Sequence, residues 1–249
     1  MIRFVSIALL ALVAAPVQAA EISMLTAGAF KQVLLAALPG FEAQSGHKVI
    51  VDGDTAGGLA RRIEAGAVFD IVVMTPATIE GVIAKGFVAP ASKTNLARVG
   101  IGVGVKDGAP RPDLSSTESF RQMVLKARAI AYVDPASGGT SGIYLANLFK
   151  QWGIAEQLAP KSVLVPGGFS AEKIISGEAE VAIQQISEIL PVKGVQFVGP
   201  LPAEIQNYTT YTAGLSARAA QPAAAKALLD YLAGPQTARI LADKGMQTP

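Results

Sequence analysis

The chain has no cysteine and a single histidine, His47, in 249 residues. Zero cysteine excludes disulfide frameworks, thiolate-bound zinc, iron–sulfur clusters and thiol nucleophiles. One histidine excludes a multi-histidine metal site, so neither a metal nor a cofactor is expected. Charge is sparse: 16% of residues are charged, 21 basic against 19 acidic, for a formal net charge of +2. A nucleic-acid binder needs a concentrated basic surface, and this balance supplies none. Aromatic residues are only 6% of the chain, yet 51% is apolar, which rules out intrinsic disorder. No Gly-Lys-Ser/Thr tripeptide occurs, so there is no Walker loop. Gly168-Phe169-Ser170-Ala171-Glu172 lacks the final glycine of a nucleophile elbow. A serine hydrolase would need a base, and His47 is its sole histidine candidate. An exported hydrolase using His47 is therefore the rival class, and the expectation is a non-enzyme.

The N-terminus carries a processing pattern. Met1-Ile2-Arg3 gives a positive start, Phe4 to Ala15 an apolar run, and Pro16 to Ala20 a small-residue exit with a cut after Ala19. These three regions predict a secretory signal peptide over 1–19. The run is shorter than the ~20 residues of a membrane-spanning helix. The mature chain is expected in the periplasm.

Beyond it the sequence alternates strand and helix. Strands are predicted at Glu21–Thr26, His47–Val51 and Phe69–Met74, with helices between them carrying Phe30, Val33, Leu34, Ala37, Leu38 and Phe41, then Leu59 and Ile63, then Ile79, Val82 and Ile83. Val99 to Val105 alternates Gly with branched residues and reads as a strand, followed by a loop over Lys106–Ser116. A second series follows: strands at Ala129–Val133, Ser162–Val165 and Glu180–Ile183, a helix face of Leu145, Leu148, Phe149 and Trp152, and a strand at Thr209–Ser216. Two helices, near Pro222–Ala233 and Pro235–Lys244, close the chain. Continuous apolar strands between amphipathic helices argue for mostly parallel sheets covered on both faces. Two lobes follow: 20–99 with 206–249, and 100–205, with hinges near Ala97–Gly102 and Pro200–Asn207.

In open α/β sheets ligands bind beyond the carboxyl ends of the strands. That rule selects the loops holding Ala27, Gly28 and Ala29; Thr55 and Ala56; Thr75; Ser137, Gly138, Gly139 and Thr140; and Gly168 with Phe169. Most of them open helices, whose first N–H groups lack intrahelical partners and carry partial positive charge. A polar or anionic ligand is expected there. Asp52 and Asp54 read as turn formers, Arg61 and Arg62 as a solvated helix face, and Tyr132, Tyr144 and Trp152 as core or interlobe packing.

Several stretches carry a resemblance: Glu42-Ala43-Gln44-Ser45-Gly46-His47-Lys48-Val49, Gly57-Gly58-Leu59-Ala60-Arg61-Arg62-Ile63-Glu64-Ala65-Gly66, Phe69-Asp70-Ile71-Val72-Val73, Asp134-Pro135-Ala136-Ser137, Gly177-Glu178-Ala179-Glu180-Val181-Ala182, and the tail Ala225 to Leu232 with Gly234-Pro235-Gln236. Together they resemble the type II periplasmic solute-binding proteins of ABC importers, within them the molybdate-binding family, over nearly all of the mature chain. The resemblance implies a two-lobed α/β monomer, each lobe a mostly parallel sheet flanked by helices. It also implies that the lobes close on molybdate or a similar small oxyanion and that a membrane permease with its ATPase reads the closed form. The chain departs from the family at Ala27-Gly28-Ala29, where a Ser is typical, at Thr55-Ala56, where a Ser pair is, and at Gln184-Gln185, where a Tyr is. The open loop Ser137-Gly138-Gly139-Thr140-Ser141 is a further difference. Fewer hydroxyls suit a larger anion such as a small organic carboxylate, with Gln185 and backbone N–H groups as donors.

Overall fold

A computed structural model describes residues 19–249; the expected signal peptide lies outside the described residues but for Ala19. The first strands alternate with helices: β1 (Glu21–Ala27), α1 (Gly28–Ser45), β2 (Lys48–Asp54), α2 (Ala56–Glu64), β3 (Ile71–Met74) and α3 (Pro76–Ala84). A long β4 (Thr94–Lys106) follows, then α4 (Thr117–Lys126), β5 (Ile130–Val133), α5 (Thr140–Gln151), α6 (Ala155–Leu158), β6 (Ser162–Val165), α7 (Glu172–Ile175), β7 (Val181–Gln185), α8 (Ile186–Ile189) and β8 (Val195–Pro200). β9 (Tyr208–Leu215), α9 (Pro222–Ala233) and α10 (Pro235–Asp243) complete the chain.

The strand order is β2-β1-β3-β9-β4-β7-β5-β6, with β8 also paired to β4. In the first lobe β2, β1 and β3 are parallel and β9 runs against β3. In the second, β6, β5 and β7 are parallel and β4 runs against β7. The parallel core of each lobe is thus edged by antiparallel strands. Strand β4 joins them: Thr94–Gly100 pairs with β9, and Ile101–Val105 pairs with β7.

Strand alternation sends successive side chains to opposite faces. Ile22, Met24, Ile71 and Val73 pack under Phe30, Val33 and Leu34 of α1 and Leu228, Leu232 and Leu241 of α9 and α10. Their neighbours Leu25, Val72 and Met74 pack on the other face, against Leu59 and Ile63 of α2 and Ile79 and Val82 of α3. Both faces are buried, so these strands read as unbroken apolar runs rather than alternating ones. The second lobe repeats the plan, with Ile130, Tyr132, Val181 and Ile183 facing Phe120, Leu145 and Phe149. Ala131 and Ala182 face Ile174 on the far side. Each fully buried Leu, Ile or Phe contributes roughly 1.5–3 kcal/mol to holding these layers.

Local signals set the ends. Pro76, Pro222 and Pro235 open their helices, where a missing N–H costs no bond. Gly46, at φ 74, ends α1 and donates its N–H to the carbonyl of Glu42. Some expectations need correction. β2 starts at Lys48, one residue after His47, and runs through Asp54, so Asp52 and Asp54 are strand residues rather than turn formers. α4 emerges between the expected loop and the expected strand, where the sequence pattern assigns no element; Ser116 caps it by accepting from the N–H of Ser119. β4 starts five residues earlier than the pattern predicts, at Thr94. Tyr132 and Trp152 are core, each packing its ring on Phe149, and Tyr144 donates its hydroxyl to the carbonyl of Ile205 at 2.6 Å.

Candidate functional site

The parallel strands of both lobes end on one cleft. β1 stops at Ala27, β2 at Asp54, β5 at Val133 and β7 at Gln185. The cleft encloses about 300 Å³, and its wall includes Ala27, Gly28, Ala29, Thr55, Ala56, Gly139, Thr140, Gly168, Phe169 and Gln185. Thr75, Ser137 and Gly138, also selected from the sequence, do not line it. Thr75 starts α3 and shares a 2.9 Å hydrogen bond with Thr78. His47 stands at the opposite end of β2 from the cleft, about 20 Å away at ~3.3 Å per strand residue. Its Nδ1 accepts from the N–H of Ala20 at 3.1 Å, a structural contact that leaves it no part in the cleft.

Three helices start here, and they differ in what their first turns do. α2 is satisfied internally: Thr55 Oγ1 accepts from the N–H of Gly58 at 2.9 Å, and the N–H of Gly57 donates to the carbonyl of Gly138 at 3.2 Å. α1 follows Ala27 and α5 follows Gly139, and neither residue offers a side chain to cap the helix, although Gln185 takes the Ser141 N–H in the first turn of α5. Their first-turn donors, one set from each lobe, are the cleft's positive ends. Lys31, one turn into α1, adds a full positive charge to the wall.

Against these stand Asp54, Glu172 and Glu188 in the same wall. Asp54 accepts from the N–H of Thr55 at 2.7 Å and lies 3.9 Å from Arg62. Glu188 differs from both. It is 6% exposed, on the short helix α8 directly after β7. Burial pushes its carboxyl up to about 8, against a weaker downward pull from the amide of Gln184. It is therefore mostly uncharged at neutral pH. Gln185, oriented to satisfy its neighbours, donates to Glu188 Oε2 at 2.9 Å and accepts from Thr140 Oγ1 at 2.6 Å and the Ser141 N–H at 3.2 Å. Tyr211, buried behind the same wall, has its hydroxyl pKa raised first by burial and then by the Glu188 carboxyl. Gly28 is close to Glu188 by necessity: a Cβ there would sit 2.8 Å from Glu188 Oε1.

The lobes touch directly at the cleft's rim. Thr55 Oγ1 donates to the carbonyl of Ser137 at 2.6 Å, and Arg61 Nη2 donates to the same oxygen at 2.9 Å. Beside them Gly57 and Gly138 meet backbone to backbone, so that a Cβ on Gly57 would fall 2.8 Å from the Gly138 Cα. Gly138 holds φ 85, a conformation open to glycine, whereas Gly139 is an ordinary extended residue at φ −77. Arg61 is thus a bridge between lobes rather than a solvated face, and Arg62 pairs with Asp52. The sequence reading missed Lys31, Asp54, Glu172, Glu188 and Tyr211 as wall residues. For Lys31 a signal was present, one helical turn from Gly28 on the same face.

Comparisons with known proteins give one consistent family. Residues 22–247 match the family model described as bacterial extracellular solute-binding protein. A relative named aconitate isomerase, from a Pseudomonas species, is 30% identical over 248 residues, covering 96% of this chain and 93% of that protein. The molybdate-binding protein of Azotobacter vinelandii is 26% identical over 240 residues, 92% of this chain and 91% of that protein. The solved structure of the periplasmic molybdate-binding protein from that organism superposes with a TM-score of 0.78 at 20% identity, over 92% of this chain and 99% of the other.

Proposed function

The chain belongs to the bacterial extracellular solute-binding proteins, and on that premise we propose that its cleft captures a small organic polycarboxylate in the periplasm. The observation that carries this reading is the pair of helix starts, α1 in one lobe and α5 in the other, that lack a capping side chain at Ala27 and Gly139 and face a single cleft. Two separated anion seats suit a ligand with two or more carboxylates, each held by backbone N–H groups. Size supports the same class. About 300 Å³ is about ten water volumes at ~30 Å³ each. A tetrahedral oxyanion would leave about half of that space to water, whereas a tricarboxylate of about a dozen heavy atoms would fill it. Glu188, uncharged at neutral pH, donates a hydrogen bond to a ligand carboxylate instead of repelling it. The relative named aconitate isomerase supports a tricarboxylate as ligand class, and its name also supports a second reading in which the ligand is turned over. The observation favouring that second reading is again the buried, unpaired carboxyl of Glu188 in the wall.

In the first reading the lobes, 20–99 with 206–249 and 100–205, close about β4 and the connection near 200–207. The closed form is what an ABC permease of the inner membrane would read. Isothermal titration with citrate, cis-aconitate, trans-aconitate, molybdate, tungstate and sulfate tests the ligand class. The expected result is saturable binding of at least one tricarboxylate at micromolar level, about −8 kcal/mol, with weaker or no binding of the oxyanions. Tight molybdate binding with no carboxylate bound would overturn it.

A further inference from the structure

We propose that the cleft is also an active site, in which Glu188 carries a proton between two carbons of a bound unsaturated carboxylate and so moves its double bond. This rests on the polycarboxylate reading. Two carboxylates of the described chain are buried, Asp70 and Glu188. Asp70 is used up by structure: its oxygens accept from the N–H groups of Ser23 at 2.8 Å and Gln221 at 2.9 Å, away from the cleft. Glu188 faces the cleft, and the only neighbours held to it there are neutral amides. A binding wall for anions needs no more than a neutral donor at this place, and an amide would supply one; a carboxyl can in addition take up and return a proton. Burial of that kind is how a carboxyl is brought to titrate near its working pH, which is what a group that both takes and returns a proton requires.

The position is built, not incidental. Gly28 leaves room for Glu188 Oε1, since any Cβ there would sit 2.8 Å away. Gln185 fixes Oε2 at 2.9 Å and is itself held by Thr140 and Ser141 at the start of α5. Oε1 thus lies beside the start of α1, and Oε2 is held through Gln185 from the start of α5.

The step balances without a co-reactant. Ionised Glu188 removes a proton from the saturated allylic carbon, which is bonded on one side to the double bond and, in the aconitates, on the other to a carboxylate. The C–H electron pair moves into the allylic system, and negative charge spreads onto the conjugated carboxylate. The α1 and α5 N–H groups stabilise that charge where it collects. Protonated Glu188 then delivers its proton to the far carbon, and the double bond lies one position along. Nothing is oxidised or reduced, and the formula of the substrate is unchanged. The other titratable groups of the wall are Lys31, Asp54, Glu172 and Tyr211. Lys31 is the cation among them, and Tyr211 is held protonated by burial.

The test uses the mature protein and its Glu188→Gln variant with cis-aconitate, trans-aconitate, itaconate and citraconate in D₂O. Titration calorimetry reads binding, and proton NMR reads double-bond migration and allylic hydrogen exchange. The expected result is that the parent exchanges and isomerises at least one ligand that it binds, faster as pH rises toward 8. Glu188→Gln should bind that ligand within a few fold while its turnover falls at least ~100-fold. If the parent binds an unsaturated carboxylate and exchanges none of its hydrogens, the catalytic proposal is overturned and the binding reading stands. If the parent binds none of them, the binding reading fails first and this proposal with it. Turnover by a folded Glu188→Gln protein at the parental rate removes Glu188 from the step. Should the variant not fold, a parental rate that does not vary with pH does the same.

Discussion

Replacing Glu188 by Gln should change how stability depends on pH, in a direction that follows from the burial of its carboxyl. In the unfolded chain the carboxyl titrates at 4.5, and in the folded cleft at about 8. Between those values the unfolded state has released a proton that the folded state still holds. Stability therefore falls as pH rises through this window, by ~1.4 kcal/mol per pH unit, and levels off above the folded value. The contribution is fully favourable below pH 4.5 and fully lost above about 8. The whole span is about 5 kcal/mol, and the part between about pH 6 and about pH 9 is about 3 kcal/mol. Gln keeps the shape and cannot ionise, so the variant lacks this slope. For a chain of this size 1 kcal/mol moves the melting temperature by about 2–4 °C, so the parent should lose roughly 6–12 °C more than the variant across that interval. Differential scanning calorimetry of both proteins at matched ionic strength measures it, and every other titrating group cancels in the difference. Melting curves that stay parallel from pH 6 to pH 9 would refute the claim that Glu188 is buried uncharged, and with it the account of how the cleft tolerates an acid.

Four further outcomes follow from named contacts. Affinity for a polycarboxylate should decline as pH climbs through about 8, because Glu188 then changes from hydrogen-bond donor to anion; titration calorimetry at several pH values detects it, and Glu188→Gln should flatten the trend. Gly57→Ala should leave thermal stability unchanged or slightly raised, since Ala suits a helix by up to ~1 kcal/mol. It should nonetheless widen the particle in small-angle scattering and weaken binding about tenfold, ~1.4 kcal/mol, because its methyl would strike the Gly138 backbone at 2.8 Å. Gly139→Asp should abolish binding, because its Cβ would fall 2.3 Å from Val133 Cγ1 at the cleft wall; calorimetry beside circular dichroism separates lost binding from lost fold. Asp52→Asn should cost no more than ~1 kcal/mol in chemical denaturation, since its pair with Arg62 is exposed and salt-screened.

What the sequence made legible follows from what kind of signal each element carries. The parallel strands were readable because burial on both faces leaves unbroken runs such as Ile71–Met74. The glycine- and threonine-bearing loops were readable because strand ends and helix starts constrain local backbone. α4 was missed although Ser116, Phe120 and Val124 carry a cap and a helical repeat, because the preceding proline-rich loop masked its start. The first half of β4 was missed because Thr94, Asn95 and Arg98 are polar; their pairing with β9 is long-range. Glu188 could not be found this way. Gln-Gln-Ile-Ser-Glu reads as a solvated stretch, and only the packing of α1 and β4 against α8 buries the acid. Arg61 likewise reads as surface until Ser137 arrives from the other lobe.

The placement of β9 between β3 and β4 has a consequence for the order in which the molecule is made. The lobe formed by the middle of the chain is contiguous, and its core is complete once Leu201 and Ile205, just after β8, have emerged. The other lobe is not. Its sheet lacks β9 until that point, and Phe30, Val33 and Leu34 have no cover from Leu228, Leu232 or Leu241 until the last helices arrive. Its final stitch is the paired exchange between Arg98 and Gln247, at 2.9 Å in both directions. A ribosome therefore releases a chain whose first-made half is the last to lock. Until then the apolar face of α1 has no partner from the C-terminal helices, so the first lobe completes its core only when the whole chain is present.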